Sequence, residues 1–330
     1  MKIRLYKRLF FVLLSFVSIP VGVYFFQNSE RVLTAAETTH PGVVEISRPE
    51  NFDRILAISD VHGMYPELLN LLQKAGLINP SHDWTGGKTL LVVVGDSIDK
   101  GAQSVEVIDL WIHLQLQAPT TGGTIIHLLG NHEAEFLSDP RHDTKTAAFI
   151  NELKLKNIAL EQFTDPQYAR ARFLRSMPLA ARIGSWLFCH SGFLPQLSWQ
   201  DLKTNAASTL NAGNYGDPLL SDEQSILEAK KWETNPEQKN LLLSRLNANG
   251  FQGVVFGHQP KALGIKGKCG MSSDGRLIKI DNGMAPEAGS HPGSMLEFLK
   301  PKDLNHFKSP KVKAIDARGR STSLPISDAA

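Results

Sequence analysis

Residues 54–60, Arg-Ile-Leu-Ala-Ile-Ser-Asp, form a short apolar run of strand length that ends in polar side chains. Residues 66–75 carry leucines at positions 68, 69, 71 and 72 and predict a helix that ends at Gly76. Residues 89–94 and 124–129 are two further apolar runs that predict buried strands, and residues 105–116 between them have helical spacing. Strand and helix therefore alternate, which predicts an α/β fold with buried sheets.

The following residues add a helical segment and several short strands. Residues 134–176 have mainly helical spacing and predict an insertion or cap over a cleft. Short apolar runs predict strands at residues 186–189, 254–256, 277–280 and 295–299. The chain after Lys300 is polar, with lysines and few aromatic residues, and predicts a flexible tail over residues 301–330.

Polar residues that can bind a metal ion follow five of these strands. The groups are Asp60-Val61-His62-Gly63, Gly95-Asp96-Ser97-Ile98-Asp99-Lys100-Gly101, Gly130-Asn131-His132-Glu133, His190-Ser191-Gly192 and Gly257-His258. One such residue alone is more often a helix cap, a turn residue or a hydrogen-bonded core histidine. Five groups in this order, each after a strand, are poorly explained as five unrelated caps, turns or core histidines. Because ligands of open α/β sheets gather at the carboxyl ends of strands, we expect the groups to converge. Carboxylate, amide and imidazole donors together suit Mn, Fe, Zn, Mg or Ni.

Composition excludes several other functions. Lys and Arg total 35 and Asp and Glu total 33, so the net charge is +2 and gives no field that would attract nucleic acid. The 2 cysteines, Cys189 and Cys269, form no CxxC pair, so a thiolate zinc site is not expected. Cys189 is expected to be a buried free thiol, and a bridge to Cys269 remains open outside the cytoplasm.

The N-terminus predicts an export signal or a membrane anchor. Basic residues at positions 2, 4, 7 and 8 precede the uncharged residues 9–26, which as a helix would span about 27 Å. The nearest cleavage-like site, Thr34-Ala35-Ala36, lies well beyond this span, which favours an uncleaved anchor over a cleaved signal. The basic residues keep the N-terminus cytoplasmic. We therefore expect a domain in the periplasm, tethered to a bacterial inner membrane or released if residues 1–26 are cleaved.

The five groups together resemble the motifs of the calcineurin-like metallophosphoesterases. D-x-H-G, G-D-x-x-D-x-G, G-N-H-E, H-x-G and G-H occur in that order, and G-N-H-E is similar to the phosphoprotein phosphatase group. Ala75-Gly76-Leu77 and Ile280-Asp281-x-Gly283-Met284 are most similar to the bacterial Shewanella-like phosphatases. The resemblance covers residues 54–299 or so. It implies a β-sandwich flanked by helices, with a catalytic domain over residues 51–300 and a linker over residues 27–50.

The resemblance also implies two divalent metal ions, Mn, Fe or Zn. Asp60 and His62 would hold the first ion, and Asp96 would bridge both. Asn131, His190 and His258 would hold the second. In such sites the two ions clamp the attacking and leaving oxygens, and a metal-bridging hydroxide attacks phosphorus in line.

Further residues take their roles from the same resemblance. His132 would protonate the leaving oxygen, and Asp99 would orient His132. Asn131, Lys100 and Lys230 would contact the substrate phosphate. Lys100 and Lys230 stand where the family usually has arginine, with Lys231 as an alternative to Lys230, and lysine lacks the bidentate fork of a guanidinium.

The sequence thus predicts a metal-dependent phosphatase of phosphomonoesters, with a phosphorylated Ser, Thr or Tyr of a protein or a small phosphoester as substrate. A symmetrical dinucleoside polyphosphatase or nucleotide phosphodiesterase is the alternative. A non-catalytic metal-binding module is a third possibility, although such a module needs no His132–Asp99 pair. Besides the substrate, the expected partner is the membrane, through the N-terminal segment, and no nucleic acid is expected.

Overall fold

The computed structural model describes residues 39–141, 145–305 and 310–327. The strands are β1 (Val43–Ile46), β2 (Arg54–Ile58), β3 (Thr89–Val94), β4 (Thr124–Leu128), β5 (Ala180–Ile183), β6 (Trp186–Cys189), β7 (Gly253–Phe256), β8 (Gly270–Ser272), β9 (Leu277–Lys279), β10 (Ser294–Phe298), β11 (Val312–Asp316), β12 (Ser321–Ser323) and β13 (Ile326–Ser327). The helices are α1 (Tyr65–Lys74), α2 (Ser104–Gln117), α3 (Asn131–Ser138), α4 (Ala147–Leu155), α5 (Glu161–Thr164), α6 (Ala169–Arg175), α7 (Trp199–Asn211), α8 (Pro218–Ser221) and α9 (Pro236–Ala248).

These strands form two sheets. One sheet has the order β1-β5-β6-β7-β9-β8-β13, and the other has the order β12-β11-β10-β2-β3-β4. The strands that precede the five polar groups are parallel within their sheets: β2, β3 and β4 in one and β6 and β7 in the other. The carboxyl ends of parallel strands meet at one edge of a sheet. The topology therefore brings the five groups to two neighbouring edges.

Strand β3 shows why the sheets stack as a sandwich with helices outside. All of its side chains are buried, and they alternate between two cores. Leu90, Val92 and Val94 face a core that also contains Phe188 of the other sheet. Leu91 and Val93 belong to a second core, which includes leucines of α1 and α2. A continuous apolar run is typical of a strand that is covered on both faces. The predicted α/β fold, a β-sandwich flanked by helices, is confirmed.

The helical insertion is also confirmed, since α3, α4, α5 and α6 occupy residues 131–175 apart from short connections. Cys189 and Cys269 are both buried free thiols, so the disulfide that the sequence left open is absent between them. Among residues 39–141, 145–305 and 310–327 no helix is long and apolar enough to cross a bilayer. The predicted anchor, residues 1–26, and most of the predicted linker lie outside the described residues.

Two expectations about irregular segments were wrong. Within the predicted linker, residues 43–46 form β1, which pairs in parallel with β5. Within the predicted tail, residues 312–316 form β11, which pairs antiparallel with β10 along its whole length. Strand β12 extends the same sheet, and β13 pairs with β8 of the other sheet. Both segments hold apolar residues that are buried once the segments pair with other strands, namely Val43, Ala314 and Ile315.

Candidate metal centre

Two groups of side chains at the carboxyl ends of the strands could each hold a metal ion. His62, Asp96 and His132 form one group, and Asp96, His190 and His258 form the other. Within each group the ligand atoms lie within 4.8 Å of one another, and every member is buried. Asp96 belongs to both groups, and its two carboxylate oxygens allow it to bind two ions.

Distances around Asp96 define the centre. Its Oδ2 lies 3.5 Å from Nε2 of His62 and 3.3 Å from Nε2 of His190. Nε2 of His190 is also 3.0 Å from Oδ1 of Asn131. Oδ1 of Asp60 lies 3.9 Å from Nε2 of His62. These carboxylate, amide and imidazole donors converge without a thiolate, which suits borderline or hard divalent cations.

Asp60 also joins the two groups. Both of its carboxylate oxygens lie 3.0 Å from the backbone nitrogen of His258, which donates to them. The backbone of the second group is thereby fixed to a predicted ligand of the first. All six predicted metal ligands are thus brought together: Asp60 lies beside His62 and His258, and Asn131 lies beside His190.

Backbone carbonyl groups fix the orientation of the imidazoles. Nδ1 of His62 lies 3.1 Å from the carbonyl oxygen of Ile98, and Nδ1 of His190 lies 2.9 Å from that of Val94. Each Nε2 is therefore left to face Asp96. His258 uses the other ring nitrogen for this contact, because its Nε2, and not its Nδ1, lies 3.3 Å from a carbonyl oxygen, that of Glu228. Such hydrogen bonds set the tautomer and the direction of a histidine ligand.

The backbone of the centre is strained at the residues that carry the chemistry. Non-glycine residues with a positive φ cost about 1 to 3 kcal/mol each and collect at functional sites. The site residues in this conformation are Asp60 (φ 53°), His62 (φ 47°), Asp96 (φ 54°), Asp99 (φ 67°), Lys100 (φ 61°) and His258 (φ 63°).

Glu133 holds the loop that carries Asp96, a role that the sequence analysis missed. Its carboxylate accepts hydrogen bonds from four backbone nitrogens, those of Asp96 (3.0 Å), Ser97 (2.7 Å), Ile98 (3.1 Å) and Gly130 (3.0 Å). The G-N-H-E motif contains the signal, since an acid buried at the first turn of a helix must find donors nearby. Burial raises the pKa of Glu133.

His132 lies at the first group and faces Asp99. Its Nδ1 is 3.1 Å from Oδ2 of Asp99, and its Nε2 is 4.0 Å from Oδ2 of Asp96. Burial by itself lowers the pKa of His132, but the charge of Asp96 and the contact with Asp99 outweigh burial and raise it. Oδ1 of Asp99 accepts from the backbone nitrogen of Phe149 at 2.9 Å, so the helical insertion fixes this carboxylate.

Burial and mutual charge set the remaining pKa values of the centre. Burial, and after it the charge of Asp96, raises the pKa of Asp60 to about 6, against the effect of His190. Burial opposes ionisation of Asp96, but His190 and His132 hold its pKa well below the usual range. Burial lowers the pKa of His190, but Asp96 and Asp60 raise it to about 10. Asp96 therefore presents a fixed negative charge at the point that both groups share.

The two candidate phosphate-binding lysines differ in position. Nζ of Lys100 lies 2.9 Å from Nε2 of His62, so its ammonium reaches the first group. The side chain of Lys230 is 57% exposed and lies at the rim, with Nζ 3.9 Å from Oε2 of Glu228. The carbonyl group of Glu228 faces His258, which places Lys230 on the side of the second group.

Two cavities border the centre. One of about 550 Å³ begins at Lys100 and extends past Met64 toward Asn151 and Lys156 of the α4 region. The other, of about 360 Å³, begins at Asn131 and is lined by Glu135, Tyr215 and Glu228 among others. Each cavity is large enough to hold groups that are attached to a phosphate bound at the centre.

The chain belongs to the calcineurin-like phosphoesterase family, whose profile matches residues 53–262. It is 25% identical to Shewanella-like protein phosphatase 2 of Arabidopsis thaliana over 77% of both chains. Among solved structures, the cold-active protein-tyrosine phosphatase of a psychrophilic Shewanella species has a TM-score of 0.63 and 20% identity, over 89% of this chain and 83% of that chain. A protein serine/threonine phosphatase from Saccharomyces cerevisiae has a TM-score of 0.59 and 22% identity, over 83% of this chain and 84% of that chain.

The predicted resemblance is therefore confirmed, and the protein is a metal-dependent phosphoesterase. The similarity to the solved structures shows the same fold. The individual roles of the site residues stay predictions, which the convergence of their side chains supports.

Proposed function

We propose that this protein is a two-metal phosphomonoesterase that acts on phosphorylated side chains of proteins. The observation that carries the proposal is that two groups of potential metal ligands share Asp96, and that His132 of the first group is paired with Asp99. A site for one structural ion would need neither a carboxylate shared by two groups, such as Asp96, nor a histidine paired with a carboxylate, as His132 is with Asp99.

The donor set fits two divalent ions, for which we propose Mn, Fe or Zn. Asp60 and His62 would hold one ion, Asn131, His190 and His258 the other, and Asp96 both. Bound ions of this kind supply a water-derived nucleophile near neutral pH and positive charge at the phosphoryl oxygens. The neutral amide of Asn131 limits the negative charge that faces an anionic substrate.

Three side chains act on the substrate directly in this proposal. Lys100 and Lys230 bind phosphoryl oxygens from opposite sides of the centre, as point charges. Nε2 of His132 donates a proton to the leaving oxygen as the bond to phosphorus breaks, because Nδ1 is directed at Asp99. Asp99 holds the ring in that orientation and stabilises its protonated form.

The substrate class follows from the relatives and from the shape of the site. The names of Shewanella-like relatives describe protein phosphatases. The cavities at Lys100 and Asn131 leave space on both sides of a phosphorylated side chain for adjoining peptide. A small phosphomonoester such as p-nitrophenyl phosphate satisfies the same chemistry and serves as a probe.

A substrate panel tests the proposal. The Mn-loaded full chain is assayed on p-nitrophenyl phosphate, bis-p-nitrophenyl phosphate, phosphoserine, phosphothreonine and phosphotyrosine peptides, and diadenosine tetraphosphate. We expect hydrolysis of the monoester and of at least one phosphopeptide. Activity confined to the diester or the dinucleotide would replace the proposal with the nucleotide-directed alternative. No hydrolysis with any divalent metal would favour a binding module.

We also propose that residues 1–26 tether the phosphatase to the inner membrane of a bacterium, with residues 51–300 in the periplasm. The basic residues at positions 2, 4, 7 and 8 before the uncharged residues 9–26 support this topology. Fractionation of cells that express the full chain tests it. We expect the chain in the membrane fraction and open to protease in spheroplasts. Recovery in the cytosol would contradict the topology.

A further inference from the structure

Gln259 follows the predicted ligand His258 and connects three segments of the centre. Its side chain is buried, with 8% exposure. Oε1 accepts a hydrogen bond from the backbone nitrogen of Lys231 at 2.6 Å, and Nε2 donates to the carbonyl oxygen of Ser191 at 3.3 Å. One amide therefore joins the loop after β7, the loop after β6 and the turn that contains Lys230 and Lys231.

The turn with the two lysines needs such an external acceptor. Lys231 has φ of 59°, a left-handed conformation that costs a non-glycine residue free energy. The hydrogen bond from its backbone nitrogen to Gln259 is partly buried, so loss of the acceptor would remove a contact that water replaces only in part. The acceptor on Gln259 satisfies this donor, so the conformation that sets the direction of Lys230 depends on it.

The loop that carries Gln259 is itself fixed by hydrogen bonds from the side chain of Lys279 in β9. The buried ammonium of Lys279 donates to the carbonyl oxygens of Pro260 at 3.2 Å and Ile265 at 2.8 Å. At the other contact, the carbonyl oxygen of Ser191 also accepts from Nε1 of Trp232 at 2.9 Å. The carbonyl oxygen of Ser191 therefore has two donors, Nε2 of Gln259 and Nε1 of Trp232. The backbone nitrogen of Lys231, in contrast, donates to Oε1 of Gln259.

We propose that Gln259 is a positioning residue that couples the second metal group to phosphate binding, by holding the Lys230–Lys231 turn in place. It touches neither substrate nor metal in this role and acts through Lys230. The inference rests on the proposed phosphatase function and extends it by a residue for which sequence motifs assign no role.

The test measures binding of inorganic phosphate by calorimetry, together with kcat and KM on p-nitrophenyl phosphate, for the Mn-loaded full chain. We expect Gln259→Met to weaken phosphate binding and raise KM roughly five- to tenfold, the scale of one lost polar contact, with kcat changed less than about threefold. Manganese content should be unchanged. Gln259→Ala also removes the acceptor and is measured alongside, so that one poorly folding variant does not decide the result.

A double-mutant cycle separates positioning from general damage. We expect Lys230→Ala to weaken phosphate binding, and Gln259→Met to add less than about twofold in the Lys230→Ala background, because its effect passes through Lys230. Gln252→Met is the matched control: Gln252 is also 8% exposed but lies before β7, at the opposite end of the strand from His258.

The outcomes are distinct. Equal effects of Gln259→Met in both backgrounds would overturn the positioning role, as would unchanged phosphate binding in either Gln259→Met or Lys230→Ala. A wild-type chain that binds phosphate but hydrolyses no substrate would refute the proposed function, and the binding cycle would still decide the role of Gln259.

Discussion

Nδ1 of His132 lies 3.1 Å from Oδ2 of Asp99, and the other oxygen of the same carboxylate is fixed by the backbone nitrogen of Phe149 in α4. The pair is therefore assembled from three parts of the chain: the loop after β3, the start of α3 and the start of α4. A carboxylate that is fixed through Oδ1 can orient the imidazole through Oδ2 and stabilise its protonated form.

Replacing this carboxylate should slow the reaction without removing metal. We expect Asp99→Asn to lower kcat about 10- to 100-fold and His132→Ala to lower it about 10²- to 10⁴-fold, the range for a lost general acid. Asp99 raises the pKa of His132, so Asp99→Asn should also move the alkaline limb of the kcat profile to lower pH. Kinetics and metal analysis of the same samples check both expectations.

Asp109→Asn is the matched control, because Asp109 forms an ion pair with Arg170 outside the centre. Full turnover by Asp99→Asn or His132→Ala with unchanged metal content would exclude the assigned roles.

The shared carboxylate predicts unequal effects of two substitutions on metal content. Asp96→Asn removes a charge from both groups, so we expect it to weaken both metal sites and to reduce activity at least about 10³-fold. His258→Ala should weaken one site and leave the other occupied. Elemental analysis after dialysis against a weak chelator gives the metal-to-protein ratio. An equal loss of metal in the two variants would contradict a bridging role for Asp96.

Lys100 stands where related phosphatases usually have arginine, and its Nζ reaches the first group. We expect Lys100→Met to raise the KM for p-nitrophenyl phosphate about tenfold or more, since one charge-assisted contact to phosphate is lost. Lys100→Arg should change KM several-fold, because the guanidinium binds through a planar fork. Steady-state kinetics at saturating Mn measures both. If neither variant altered KM, Lys100 would have no contact with phosphate.

His127 makes stability depend on pH. It is buried between the rings of Trp111 and Phe173, and its Nε2 lies 2.9 Å from Oγ of Ser97. Burial lowers its pKa from 6.5 to about 3, so the unfolded chain takes up the proton first as the pH falls. Its contribution therefore destabilises the fold progressively between pH 6.5 and about 3, by about 1.4 kcal/mol per pH unit.

The variant His127→Gln keeps a polar group near Ser97 but does not titrate. From pH 7 to pH 5 we expect it to lose about 2 kcal/mol less stability than the wild type. Urea unfolding in EDTA measures this difference without a contribution from metal release. Parallel pH dependence in the two proteins would show that His127 is not buried in its neutral form.

The sequence predicted the parts of the centre that local pattern encodes. Each predicted ligand lies in the short segment after an apolar strand, as Asp96 lies after β3, and parallel strands bring such segments together whatever lies between them. The strands at the N-terminus and the C-terminus were missed because their own residues carry no clear strand pattern and they depend on pairing with other strands. Residues 43–46 and 312–316 are short and become strands by pairing with β5 and β10, more than one hundred residues and about fifteen residues away respectively.

Within the centre, the sequence predicted which residues could be ligands but not which hydrogen bonds hold their loops in place. Nothing local in the sequence states that Glu133 accepts four backbone donors, or that Oε1 of Gln259 meets the nitrogen of Lys231. Such contacts depend on loops from different strands meeting in space. The motifs predicted the candidate ligands, and only the folded chain shows the residues that support them.

Strand β11 has a consequence for shortened versions of the chain. It covers one side of β10, whose sequence Ser-Met-Leu-Glu-Phe is buried throughout. A chain cut at Lys300 would keep every predicted ligand and yet expose a row of unpaired backbone donors and acceptors flanked by apolar side chains. Exposed edges of this kind template intermolecular pairing, so such a truncation would tend to form aggregates or filaments.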